Sequence, residues 1–285
     1  MMGSAIGFPA RENGHEVRLV GTHLDREIID HAKKTNTHLT LSVRFPRDLM
    51  FIKSSSWKRP CRARMSWLAA SAAFGVDWFA ENILPKVPET LPVLSITKGM
   101  QDLEDGTMIS FPHLYAERLG DKKLCLNAVG GPCTSYELAD HDPTLVAFCG
   151  PDIEVLRRLK AIFETDYYHI CLSTDVTGVE CAVAMKNAYA LAVSLAVGLS
   201  ERIEGVGGTL HYNSQAALFA QSIREMRRLL KLIGGHDDNI VYGVWRFVRH
   251  PSLAGAPVRS VRCWAAAYPL TMPWHSSAAS RWNPS

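Results

Sequence analysis

Short apolar runs alternate with segments of helical periodicity through the first 175 residues, and after that the pattern is helical alone. The opening 3-GSAIGFPARENGHEVRLVGTH-23 predicts a helix from Gly3, a turn at Asn13-Gly14 and a short strand from Glu16 to Val20, the helix-to-strand half of a βαβ unit. A β-rich run, 90-TLPVLSITKGMQD-102, ends its strand at Lys98-Gly99. In 123-KLCLNAVGGPCTSYELAD-140 a strand runs into a Gly-Gly-Pro turn. Residues 144–150 read as a strand, 151–165 as a helix with Pro at its start, and 167–175 as a closing strand. Alternation of this kind implies a mostly parallel sheet with helices on both faces. From Thr177 to Ile233 Met226, Leu229, Leu230 and Ile233 keep helical spacing, so the domain boundary is expected near Asp175. The expected organisation is an α/β domain over 1–175, a helical domain over 176–243 and an irregular tail over 244–285.

Composition changes this picture in two places. Of 285 residues 47% are apolar and 21% charged, which suits a folded protein with sizeable cores. The net charge of +3 is unevenly spread: Arg44 to Arg64 carries a local +6 and the chain after Asp238 a local +5, leaving −8 elsewhere. The excess positive charge is local to these two segments and nothing in it resembles a nucleic-acid-binding face, so nucleic acid is not an expected partner. Segments 42–71 and 244–285 lack either periodicity, and the tail holds four of the seven tryptophans without an acidic residue. That composition fits basic loops or out-of-frame translation. Seven scattered cysteines, without zinc-site spacing, predict free thiols in a reducing, cytoplasmic setting. The absence of a signal-like start, and the charge within the longest apolar run, predict no membrane span.

That apolar run, 178-GVECAVAMKNAYALAVSLAVGL-199, holds the sharpest chemical clue, Lys186 followed by Asn187. Alanines at 182, 184, 188, 190, 192 and 196 let other elements approach closely. A buried ammonium without partners costs several kcal/mol or loses its proton, so Lys186 must find partners or face a cleft. There it could exchange a proton with a hydroxyl or carbonyl oxygen. Lys98 stands where ligands gather in doubly wound sheets, beyond the carboxyl end of a strand. In 130-GGPCTSYE-137, Thr134 and Glu137 fit a capping box at a helix start suited to a phosphate or a ribose hydroxyl. Gly3 and Gly7 could retain only the third glycine and helix of a G-x-G-x-x-G fingerprint.

Taken together these motifs resemble the NAD(P)-dependent glycerol-3-phosphate dehydrogenases, over roughly residues 3–41 and 72–243. GVECAVAMKNAYALAVSLAVGL is similar to the start of the family's C-terminal domain, ITKGMQD to its T-K-G strand end, and GGPCTSYELA to its G-P-S-F-A-x-E-V-A stretch. GSAIGFPARENGHEVRLVG looks like the tail of its dinucleotide fingerprint. The resemblance implies a Rossmann-like N-terminal domain plus an all-α C-terminal domain of the 6-phosphogluconate-dehydrogenase-like kind. It implies NAD or NADP as cofactor and a small phosphorylated substrate, and it allows a homodimer. Lys186 becomes the proton donor or acceptor and Lys98 the partner of the developing alkoxide and the phosphate. Gly131, Cys133 and Asn187, with Lys98, would contact substrate. Gly3, Ser4, Phe74, Lys98 and Ser135 would contact cofactor. Where the family continues with G-x-x-D-L and R-N, this chain has Trp245-Arg246-Phe247. That departure keeps two alternatives open, a reductase of another small hydroxy acid and a catalytically impaired remnant.

Overall fold

The structure is a computed structural model and describes residues 1–41, 43–53, 67–70, 75–205 and 208–244. In chain order the elements begin with α1 (Met2–Ala5), α2 (Gly7–Glu12), β1 (Arg18–Val20), α3 (Arg26–Thr35), β2 (Met50–Ile52) and β3 (Trp67–Ala69). Then come α4 (Val76–Asn82), β4 (Val93–Ser95), β5 (Met100–Asp102), β6 (Met108–Ser110), α5 (Phe111–Leu119) and β7 (Leu126–Gly130). The last are α6 (Ser135–Ala139), β8 (Thr144–Cys149), α7 (Ile153–Phe163), β9 (Tyr168–Ser173), α8 (Val176–Glu204), α9 (Tyr212–Leu232) and α10 (Val241–Val244).

A five-stranded sheet in the order β3-β4-β7-β8-β9 organises the α/β part. Strands β3, β4 and β7 are mutually parallel, as are β8 and β9, but β8 runs antiparallel to β7. The expected parallel character therefore holds within each half of the sheet. Separate two-stranded sheets pair β1 with β2 in parallel and β5 with β6 in antiparallel fashion.

Strand alternation divides the core. On β8, Val146 and Phe148 face one cluster with Ile6, Phe8, Leu156, Leu159 and Phe163, while Ala147 and Cys149 face Val176, Val179 and Val183. This is the period-two reading of a sheet covered on both sides. A third cluster packs Phe79, Leu84, Phe111 and Tyr115 around Val93 and Leu126. Of the aperiodic stretch 42–71, the described residues Phe45, Leu49 and Ala69 are buried and Met50–Ile52 pairs with Arg18–Val20. The irregular tail beyond Val244 lies outside the described residues.

Local chemistry sets the helix ends. Asp152 caps α7, accepting from the Glu154 and Val155 N–H groups, and Thr134 caps α6, accepting from the Glu137 N–H. The single helix expected from Gly3 is instead two short ones. Pro9 has no N–H to bond back across that junction, which separates α1 from α2.

Two compact units emerge. Met1–Lys186 and the described residues from Ile223 onward form one; Asn187–Ser222 form the other. The end of the sheet falls near Asp175, but Val176, Val179 and Val183 pack with Ala128, Ala147 and Cys149, so the first three turns of α8 go with the sheet. Asp175 fastens that start: its carboxylate accepts from the N–H groups of Gly178 and His236 and from the Asn239 side-chain amide. In the second unit Ser200 donates to the Thr209 carbonyl, and the Glu204 carboxylate accepts the Thr209 N–H. By length and composition α8, with 29 residues, could cross a membrane; in its first turns Val179, Ala182, Val183 and Lys186 are buried against protein.

Candidate active site

The carboxyl ends of three parallel strands carry the chemistry. Beyond β4 come Ile96, Thr97 and Lys98; beyond β7 comes Gly131; beyond β3 comes Ala70. Gly131 turns the chain with φ +107°, and an added Cβ would lie 3.1 Å from the Val146 Cα. The turn thus needs glycine twice over, for its backbone angle and for its closeness to β8. It leaves the Gly131 carbonyl aimed at two amines. Lys98 Nζ donates to it at 2.7 Å and Lys186 Nζ at 3.3 Å.

Lys186 reaches this point because Val179, Val183 and Lys186 follow one face of α8 at i, i+4 and i+7. A Cβ on Gly130 would stand 2.4 Å from Val179 and 3.1 Å from Val183, so Gly130 lets the helix settle on the strand end. Lys186 is only 6% exposed, an ammonium held inside protein rather than in solvent.

Cys133 lies next in the turn, half-buried. Burial pushes its thiol up to about 11, against the opposing pull of Lys98 and Lys186. Glu180 is wholly buried, and neither carboxyl oxygen has a hydrogen-bond partner among the described residues. Burial pushes its carboxyl up to about 8, while Lys98 and Lys186 draw it back down. The sequence reading passed over Glu180, although an acid inside the same apolar run that made Lys186 conspicuous was an equal signal.

The expected cofactor contacts fall into two groups. Ser4 and Ser135 are buried, and α1, which carries Gly3 and Ser4, packs against α6, which Ser135 begins. A Cβ on Gly3 would come within 2.7 Å of the Ala70 Cβ, so α1 meets the end of β3 at a distance that glycine alone allows. Close approach at Gly3 beside the carboxyl end of β3 supplies the helix-packing part of a dinucleotide cradle, and in that part the residues present fit the group. Phe74 lies outside the described residues. Asn187 is exposed and opens the second compact unit.

Residues 175–245 match the family model described as the NAD-dependent glycerol-3-phosphate dehydrogenase C-terminus. The NADP(+)-dependent glycerol-3-phosphate dehydrogenase of Archaeoglobus fulgidus is 30% identical over 246 residues, covering 86% of this chain and 71% of that protein. The chain belongs to the glycerol-3-phosphate dehydrogenase family. A second relative of that family, glycerol-3-phosphate dehydrogenase [NAD(P)+] of Geobacillus kaustophilus, is 27% identical over 239 residues, covering 82% of this chain and 64% of its own length. Among solved structures, glycerol-3-phosphate dehydrogenase from Coxiella burnetii superposes with a TM-score of 0.77 at 18% identity, covering 94% of this chain and 78% of that one, a likeness of fold. The expected fold class, a Rossmann-like domain followed by helices, is that of these dehydrogenases.

Proposed function

We propose that this chain interconverts sn-glycerol 3-phosphate and dihydroxyacetone phosphate with NAD or NADP. The observation that carries the reading is the convergence of Lys98 and Lys186 on the Gly131 carbonyl. A nicotinamide cofactor, when bound, supplies or accepts the hydride at C2 of the substrate.

The chain's own residues handle the rest. In the reducing direction the Lys186 ammonium gives a proton to the oxygen at C2 as negative charge develops there, and in the oxidising direction the neutral amine removes it. Lys98 stabilises the same charge and attracts the substrate phosphate. Gly131 and Cys133 border the substrate, with Asn187 as a further contact. Gly3, Ser4 and Ser135, with Lys98, are the cofactor contacts of this reading. A doubly charged, phosphorylated substrate suits a centre with two ammonium groups better than an uncharged one would. Among the described residues Cys125, Cys133, Cys149, Cys171 and Cys181 are free thiols, which supports a reducing, cytoplasmic setting.

The test is oxidation of NADH and of NADPH on addition of dihydroxyacetone phosphate, followed by absorbance, together with cofactor titration by fluorescence. Substrate-dependent oxidation with either cofactor is the expected result. Cofactor binding with turnover of a different hydroxy-acid pair would reassign the substrate, and a folded protein that binds neither cofactor would overturn the reading.

A further inference from the structure

Glu180 has no task in the chemistry above, yet its place is costly. A carboxyl buried without hydrogen bonds loses several kcal/mol of hydration, and an apolar side chain between Val179 and Cys181 would avoid that cost. The helix sets Val179, Val183 and Lys186 on the face that meets Gly130 and Gly131, and Glu180 projects from the flank, ~100° round from Val179. From there its acceptors are unfilled among the described residues while two ammonium groups lie within electrostatic reach. Among other titratable groups, Glu180 helps to push up the Cys149 thiol on β8, on which Asp175 acts in the same sense, and Cys133 lies in the turn within reach of the same two lysines.

We propose that Glu180 is a positioning residue for Lys186, its carboxylate holding the proton on the Lys98–Lys186 pair and so setting the pH range in which Lys186 can act as an acid. The purpose, though not the electrostatics, rests on the dehydrogenase reading. Ionised, Glu180 favours both ammonium groups; protonated, it releases that hold, and by reciprocity the amines favour its ionisation. Asp175 and the thiols act in the same sense on the lysines only when charged, and the burial of Cys149 keeps its thiol neutral.

The test is Glu180→Gln in the full chain, which keeps shape and removes the charge. Competitive acylation of lysines, read residue by residue by mass spectrometry, is expected to show Lys186 about tenfold more reactive at a fixed alkaline pH. The alkaline limb of the reduction profile should move to lower pH, and Glu180→Asp should return it toward the parent. A purely structural Glu180 would change stability or overall rate but leave both the limb and the Lys186 reactivity in place, and that result overturns the proposal. If Glu180→Gln does not fold, infrared titration of glutamate-labelled protein replaces it: Lys186→Met should move the buried carboxyl band to higher pH, and an unmoved band overturns the proposal. Should the parent protein fail to turn over dihydroxyacetone phosphate, the dehydrogenase reading falls, while the acylation and infrared results still decide the role of Glu180.

Discussion

Lys98 and Lys186 share one acceptor, the Gly131 carbonyl oxygen, although one follows a strand and the other lies inside a helix. Two cations on one oxygen repel each other, so the arrangement is held by what surrounds it: the tight turn, the glycine-flanked seat of α8 and the anionic or polar ligand that the pair can receive. Substitutions at the turn, at the clasp and in the helix test these supports separately.

The turn is tested by Gly131→Ala. The left-handed φ of +107° and the 3.1 Å approach to Val146 both penalise a side chain. The expected loss of stability is about 1–3 kcal/mol by denaturant unfolding. Because the shared carbonyl moves, activity should fall by about a hundredfold even at temperatures where the variant is fully folded. Unchanged activity in a destabilised variant would separate the turn from the chemistry.

The clasp is tested by Asp175→Ala, which deprives Gly178, His236 and Asn239 of their acceptor. Thermal unfolding should show a loss of about 1–3 kcal/mol, with Asp175→Asn recovering part of it by keeping one acceptor oxygen. Equal stability of the alanine variant and the parent would mean that the start of α8 is held by apolar packing alone.

Glu180 also makes a prediction for stability against pH. Its folded carboxyl titrates near 8, above the ordinary carboxylate range, so between roughly pH 4.5 and 8 the folded state holds a proton that the unfolded chain releases. Stability from this group is therefore full at the acid end of that window and is lost as pH rises through about 8. Relative to the parent, Glu180→Gln should gain stability with rising pH across the window, on the order of a few kcal/mol by its end. Parallel stability curves for the two proteins would show that Glu180 is ionised throughout.

Much of this arrangement was legible in the sequence because it rests on local pattern. Lys98 at a strand end, Thr134 as a helix cap and Lys186 inside an apolar helix each follow from spacing and residue type. Contacts that depend on distant pairings were not legible. Nothing near Asp175 announces His236 or Asn239, and the antiparallel entry of β8 follows from how the chain returns after α6, not from the composition of TLVAFC. Glu180 was visible as a residue but not as a member of the site, since its meaning comes from burial beside two amines that only the fold brings together. The packing boundary at Lys186 likewise reflects the contacts of Val179 and Val183 with the sheet, which a helical pattern continuous through both units conceals.

The most direct measurement compares the parent chain with Lys186→Met in the reduction of dihydroxyacetone phosphate by NADPH or NADH. Methionine fills the space of the lysine stem without a proton to give, and Lys98 remains on Gly131. The account predicts equal cofactor binding, little change in unfolding temperature and a fall in kcat of about 10²–10⁴. A variant that turns over at the parent's rate would contradict it.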